Sequence, residues 1–557
     1  MYKSSFTPSG QAYNTLRSGK IIGDDEEPHQ MIERIVESIT ESDFKYTESI
    51  SDRIAFENAL GEAMDEKLIV MSTPIMTNAG RYIDRPLTAC TVPTVGIRQG
   101  NEHLIEQEVL MLHEQGMGTG YNLDELEDPV EMLRFLNKIA VKGASSGKED
   151  RPVGNMAVLS IYHPKIKEFI EAKLDTNEQW KFNLSVDVDE QFMNALSIGG
   201  LVTLYDGSKI SSDELFSRIC QAATQCGDPG LVFLDRMNAR NPLPELGQYK
   251  TTAPCAEVGL LEGETCQFGY VNLAKFITRK NGIPTFDSSK LEGVSHLMTR
   301  ALDDTLDISR EQFISERSRY LLDRKRKIGI GICGVADALL LSGLPYDSPE
   351  GRKLIQDMLA TVNFSSKEAS IRLAESRGSC FAMTDIVGNR YLQTQSQLER
   401  LYENNPTDSV SSSDWTRLAQ AIKKNRNLRN LTTVALPPTG RSAIVIDAST
   451  GIEPYFSLDG LGDDMKIEVD KIKSSLIPEE ANRITAIAGN IAPLGHIAMA
   501  TALQRFSDES LSKTINLPEG STSNDVASVY QTAHESGMSG VTVYVDGTHQ
   551  LQPKSLK

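Results

Sequence analysis

The sequence predicts an α/β protein, and three observations carry that prediction. Short apolar runs of strand length alternate with longer amphipathic stretches along most of the 557 residues. The strand-like runs are apolar on consecutive positions, the pattern of strands buried on both faces. No internal repeat and no Gly/Ser linker divides residues 71–550, so one large unit with a helical appendage is the simplest organisation.

Residues 1–70 form the appendage. Pro28–Thr40 and Ser51–Ile69 place apolar residues at helical spacing, and Asp24-Asp25-Glu26-Glu27-Pro28 supplies an acidic first turn with a proline at the helix start. Beyond Met71, strands are predicted at Ala157–Ile161, Gly200–Leu204, Ile328–Ile332 and Ser442–Ile446. Helices are predicted at Ile166–Lys173 and Glu350–Ala374. The polar stretch Tyr402–Asp414 reads as a surface loop, and the tail at 549–557 as flexible.

Composition narrows the function. A hydrophobic fraction of 39% with 24% charged residues describes a soluble globular chain, and no apolar run is long enough to cross a bilayer. The start is polar and lacks the apolar stretch of a secretion signal, and seven scattered cysteines do not form a secreted disulfide framework. A reducing cytoplasm is expected. A net charge of −19 argues against direct DNA binding, whereas phosphate can still be held by backbone N–H groups.

The most informative segment is Thr252-Ala253-Pro254-Cys255-Ala256-Glu257, followed by Cys266. In extended backbone Cys255 and Glu257 face the same way, and a sulfur beside a base can do radical or nucleophilic chemistry. The plain alternative is a cysteine buried as a small hydrophobe. Cys90, in Leu87-Thr88-Ala89-Cys90, stands apart with these two, whereas Cys220, Cys226, Cys333 and Cys380 sit in apolar contexts and read as packing residues.

Other motifs are weaker alone. Pro438-Thr439-Gly440-Arg441-Ser442 forms either a phosphate cradle or an ordinary tight turn. The glycine-rich Gly116–Asn122 lacks the setting of a dinucleotide fingerprint, and no Walker lysine loop occurs. No His-x-x-x-His and no Cys-x-x-Cys is present, so no protein-built metal site is expected. His496 reads as structural; Tyr544, in a strand-like run, reads as core or as an electron relay.

An ordered series of motifs over residues 10–548 resembles the catalytic subunit of ribonucleotide reductase. It includes Ser72-Thr73-Pro74, Ala89-Cys90, Gly118–Asn122, Asn155–Leu159, Phe182-Asn183-Leu184-Ser185, Pro254-Cys255-Ala256-Glu257, Pro438-Thr439-Gly440, Ser449–Pro454 and Ser512–Pro518. The resemblance implies a ten-stranded α/β barrel of two five-stranded halves over about 71–548, with a finger loop inside it. It also implies that Cys255 becomes a thiyl radical taking the 3′ hydrogen of a ribonucleotide. Glu257 would act as base on the 3′ hydroxyl, and Cys90 with Cys266 would donate two electrons and end as a disulfide. Thr73, Ala89, Asn183, Ala253, Pro438, Thr439, Gly440, Arg441 and Ser442 would hold the substrate.

The pattern is closest to the adenosylcobalamin-dependent type, with a radical from a separate metal-containing subunit, relayed by Tyr544, as the alternative. Nucleotide effectors, a thioredoxin-like reductant and a homodimer are further expectations. The stretch Ser145–Asn155 matches the loop that reports effector identity, with a diverged sequence. Three departures stand out. Ala253 replaces the family's asparagine, through an engineered change, a divergent paralogue with altered or lost chemistry, or a water standing in. No cysteine follows Cys380, so the usual C-terminal dithiol is missing from this sequence. No N-terminal nucleotide-binding cone is seen, so no dATP switch is expected there.

Overall fold

The computed structural model describes residues 2–47, 49–145, 153–174, 178–313, 315–384, 406–425, 427–459 and 461–547. Most of the predicted effector loop (146–152), the tail at 549–557 and part of the predicted surface loop (402–405) lie outside the described residues.

In chain order the strands are β1 (Ile69–Met71), β2 (Cys90–Thr91), β3 (Gly118–Asn122), β4 (Asn155–Ser160), β5 (Asn183–Asp187), β6 (Leu201–Thr203), β7 (Lys209–Ser211) and β8 (Gly230–Val232). The hairpin strands β9 (Thr251–Thr252) and β10 (Gly259–Leu260) follow, then β11 (Thr265–Cys266), β12 (Phe268–Asn272), β13 (Ile277–Lys280) and β14 (Ile283–Phe286). Last come β15 (Gly329–Cys333), β16 (Thr514–Leu517) and β17 (Gly540–Val545).

The α/β class is as expected, built around a large, mostly parallel sheet. Its order is β11-β2-β3-β4-β5-β8-β17-β16. From β2 to β8 the neighbours run parallel; β17 joins β8 antiparallel, and β16 lies parallel to β17. On the other flank β11 pairs antiparallel with β2. A smaller sheet has the order β1-β12-β15, with β12 and β15 parallel. Parallel bridges Ile330↔Val434 and Leu436↔Leu511 tie the segment 434–436 to β15 and to the chain entering β16. Only Gln267 separates β11 in one sheet from β12 in the other.

All six residues of β4 are buried, which explains the unbroken apolar run. The helix Ser288–Gln312 packs on β12, where a side chain on Gly269 would strike Met298, and Pro349–Arg377 packs against that helix. The N-terminal helices Pro28–Ser42 and Ile50–Asp65 lie close to prediction, the first with a capping box between Glu27 and Gln30.

Two expectations change. The run Ser442–Ile446 is not a strand: it belongs to the helix Gly440–Val445, entered through Gly440 at φ +38°. A short apolar run fits a buried helical turn as well as a strand, and only tertiary contact decides. The predicted strand at 200–204 does form, but β6 pairs with β7 as a separate hairpin and leaves Leu201 exposed.

Candidate active site

The segment Ala253-Pro254-Cys255-Ala256-Glu257 is the tip of a hairpin. Gly259 pairs with Thr252 and Leu260 with Thr251, while Ala253 N–H donates to Val258 O at 2.9 Å. The chain then turns sharply: Ala256 N–H donates to Ala253 O at 2.9 Å, and Ala256 sits at φ +63°, the left-handed region costly for a residue with a Cβ. The backbone between Cys255 and Glu257 is therefore not extended, and the same-face geometry of a strand does not hold there. The turn instead folds the Glu257 carboxylate back so that Oε2 accepts the Cys255 N–H at 3.2 Å.

Glycines let this hairpin lie against the large sheet. A Cβ on Gly120 would sit 2.2 Å from Thr252 O. One on Gly118 would sit 2.9 Å from Pro254 Cγ, and one on Gly154 3.1 Å from Pro254 Cβ. The glycine-rich segment rejected as a dinucleotide fingerprint thus has a physical role, allowing close approach of backbone to backbone. Asn183 donates from Nδ2 to Pro254 O at 2.8 Å, and Gly540 of β17 faces Ala256.

Cys90 and Cys266 stand directly opposite each other where β2 meets β11. Directly opposed residues bring their Cβ atoms to roughly 5 Å, within small adjustment of a disulfide. Both are thiols here. The same Gly118 position that touches Pro254 lies 3.5 Å from Cys90 Sγ, so the paired thiols and the hairpin tip share one neighbourhood.

Electrostatics separate the groups. Burial lifts the Glu257 carboxyl to about 7, against the two backbone N–H bonds that favour its charge. Burial also pushes Cys220 up to about 12 and Cys380 to about 11, and raises Cys333, which keeps all three protonated packing thiols. His496 is buried, with its pKa lowered to about 3, and lies 3.2 Å from Ala488 O.

A cavity of about 400 Å³ is lined by Pro438, Thr439, Gly440, Glu453, Asn516 and Tyr544, among others. Gly451 N–H donates to Thr439 Oγ1 at 2.7 Å, locking the turn, and Ser442 N–H closes it onto Thr439 O at 2.9 Å. A larger cavity of about 810 Å³ adjoins it, sharing Thr450, Pro454 and Phe456 and reaching Asp337, Tyr455 and Lys466. Of the predicted substrate residues, the structure brings Pro438, Thr439 and Gly440 together on this wall.

The rest sit elsewhere. Arg441 and Ser442 continue into the helix behind the wall. Thr73 opens the buried helix Thr73–Asn78, and Ala89 spends its backbone linking Cys266 O to Gly118 N–H. Asn183 holds the hairpin, and Ala253 is fully buried in it. Glu453, ion-paired with the buried Lys513, lines the cavity without having been assigned a role from sequence. Its place in a stretch already matched to the family was the available signal.

Residues 103–544 match the family model described as ribonucleotide reductase, barrel domain. The chain is 31% identical over 493 residues to a vitamin B12-dependent ribonucleoside-diphosphate reductase of Mycobacterium tuberculosis, covering 79% of this chain and 65% of that protein. It is 29% identical over 547 residues to one of Thermoplasma acidophilum, covering 89% and 66%. Against the ribonucleoside-diphosphate reductase large subunit of Danio rerio it is 26% identical over 377 residues, covering 61% and 45%. This chain belongs to the ribonucleotide reductase barrel-domain family. It spans slightly under two thirds of the length of the B12-dependent relatives from these two organisms.

Proposed function

We propose that the chain reduces ribonucleotides to 2′-deoxyribonucleotides by thiyl-radical chemistry. The observation that carries this reading is the opposed pair Cys90 and Cys266 beside a hairpin whose tip holds Cys255 and Glu257. In this reading the Cys255 sulfur takes the 3′ hydrogen of the ribose and later returns it. Glu257 accepts the 3′ hydroxyl proton, and the 2′ hydroxyl leaves as water. Cys90 and Cys266 supply the two electrons and two protons that balance the step, becoming a disulfide. The carboxyl of Glu257, near 7, suits a group that must take up and release a proton at neutral pH.

The ribose and phosphates would occupy the cavity walled by Thr439 and Gly440. Tyr544, on the same wall, is the candidate relay. Adenosylcobalamin, when bound, supplies the radical equivalent that the Cys255 thiol needs. The larger, adjoining cavity has mixed polar and apolar walls suited to an amphipathic cofactor, and Asp337, Tyr455, Phe456, Met465 and Lys466 would hold it. The B12-dependent relatives favour this source over a separate radical-generating subunit.

The strand pairings also support a closed ten-stranded barrel over 71–548. One half would be β2, β3, β4, β5 and β8. The other would be β17, β16, 434–436, β15 and the continuous β11–β12 segment, with antiparallel seams at β8/β17 and β2/β11. A homodimer, nucleotide effectors, a thioredoxin-like reductant and a cytoplasmic location complete the reading. Among the described residues no helix is long and apolar enough to cross a membrane.

Anaerobic incubation with the four ribonucleotides and dithiothreitol, with and without adenosylcobalamin, tests the proposal. Cofactor-dependent deoxynucleotide is expected, and none from Cys255→Ser, which keeps its fold. Ribonucleotide binding with no deoxy product under either condition would favour the altered-paralogue reading instead.

A further inference from the structure

Beneath the hairpin lies a buried ion network that the reaction scheme above leaves without a role. Lys325 and Lys327 approach Glu264 Oε1 at 2.9 and 3.1 Å, and Lys327 also meets Glu509 at 3.0 Å. All four side chains are at most 5% exposed. Tyr249 underlies both ammonium groups, at 5.2 and 5.1 Å from its ring centre, and a Cβ on Gly259 would strike that ring.

The connections leaving the network matter more than its internal pairs. Lys327 Nζ donates to Gly259 O at 3.2 Å, two residues after Glu257 in the hairpin. Glu264 lies two residues before Cys266; its own carbonyl accepts Thr91 Oγ1 at 3.0 Å, next to Cys90, and its Oε2 accepts Leu261 N–H at 3.0 Å. One ammonium group therefore touches both the hairpin bearing Cys255 and the acid that anchors the Cys266 strand. Two lysines and two carboxylates leave no net charge, so the network survives burial as a fixed tie. Burial opposes the charge on Glu264, but Lys325 and Lys327 outweigh it and hold the carboxyl near 2.

We propose that Lys327 is a positioning residue, which fixes the Cys255–Glu257 hairpin against the Cys90–Cys266 strand pair. The proposal rests on the reductase reading for its consequence in turnover, but its geometric content stands apart from it. The test compares the parent chain with the charge-balanced double variant Lys327→Met with Glu509→Gln. In turnover, kcat falls at least tenfold while KM stays within twofold, because the cavity at Thr439 is not altered. In a separate alkylation assay on the resting protein, iodoacetamide modifies Cys255 at least fivefold faster, followed by peptide mass spectrometry.

The single variant Glu509→Gln is nearly isosteric and removes one of the two carboxylates that hold Lys327; it is the second variant where the double one does not fold, and it raises the same rate at least twofold. An unchanged Cys255 rate in the folded variants overturns the proposal, as does a loss carried by KM with kcat intact. If the parent makes no deoxynucleotide, the reductase reading fails, and the alkylation rates still decide whether Lys327 holds the hairpin.

Discussion

Glu257 is the residue at which burial and function meet most directly. Its carboxyl stands near 7, against 4.5 for an exposed glutamate. Between those values the folded chain keeps a proton that the unfolded chain has lost, so stability falls as pH rises from 4.5 towards 7. The cost is fully present above 7. At 1.4 kcal/mol per pH unit it amounts to about 3 kcal/mol. Glu257→Gln should therefore stabilise the protein by up to about 3 kcal/mol at pH 8, and by well under that at pH 5, as measured by urea unfolding at both values. If the carboxylate is the base, kcat/KM of the parent rises with pH through a midpoint near 7, and the glutamine variant loses that limb. The residue types and their spacing were legible in the sequence. Their geometry was not, because the left-handed turn at Ala256 replaces the extended backbone that would have aligned the two side chains. Nor could spacing place Cys90, 165 positions before Cys255, near the hairpin; their shared approach to Gly118 does that.

Among the elements, the hairpin and the glycine rows beneath it form one fitted unit. Gly120→Ala would set a methyl 2.2 Å from a backbone oxygen that no rotamer change can move. The hairpin must lift, at a cost of about 1–3 kcal/mol, and kcat should fall at least tenfold. Thermal unfolding and turnover on the same preparation check both parts. Gly10→Ala, whose Cβ meets nothing within 4 Å, serves as the comparison. Helices with strong periodicity were readable in advance: Pro28–Ser42 begins at the proline the acidic turn announced. The run at 442–446 does not announce its helix because five small and apolar residues carry no period, and the turn at Gly440 commits them to it.

At the scale of the whole molecule, buried ion pairs tie distant segments that the sequence gives no sign of joining. Lys367 pairs with Asp508, whose carboxylate also accepts Thr433 and Val434 N–H, at the start of the segment leading to Thr439. Lys367→Met leaves that carboxylate without its buried cation and should cost about 3–5 kcal/mol by chemical denaturation at pH 7. Asp303 is held in the same way by Arg326, Arg377 and Arg429, so the acidic cluster Asp303, Asp304 and Asp307 is a neutralised brace within the helical layer. These ties join helices to the segment around Thr433 and Val434; the pairing proposed for Cys90 and Cys266 is itself open to direct measurement. A single anaerobic turnover with ribonucleotide and adenosylcobalamin, without added dithiol, is quenched, alkylated and mapped by mass spectrometry. One Cys90–Cys266 disulfide per deoxynucleotide formed, with Cys255 still alkylated as a thiol, is the predicted result; deoxynucleotide formed with both of those cysteines still reduced would contradict it.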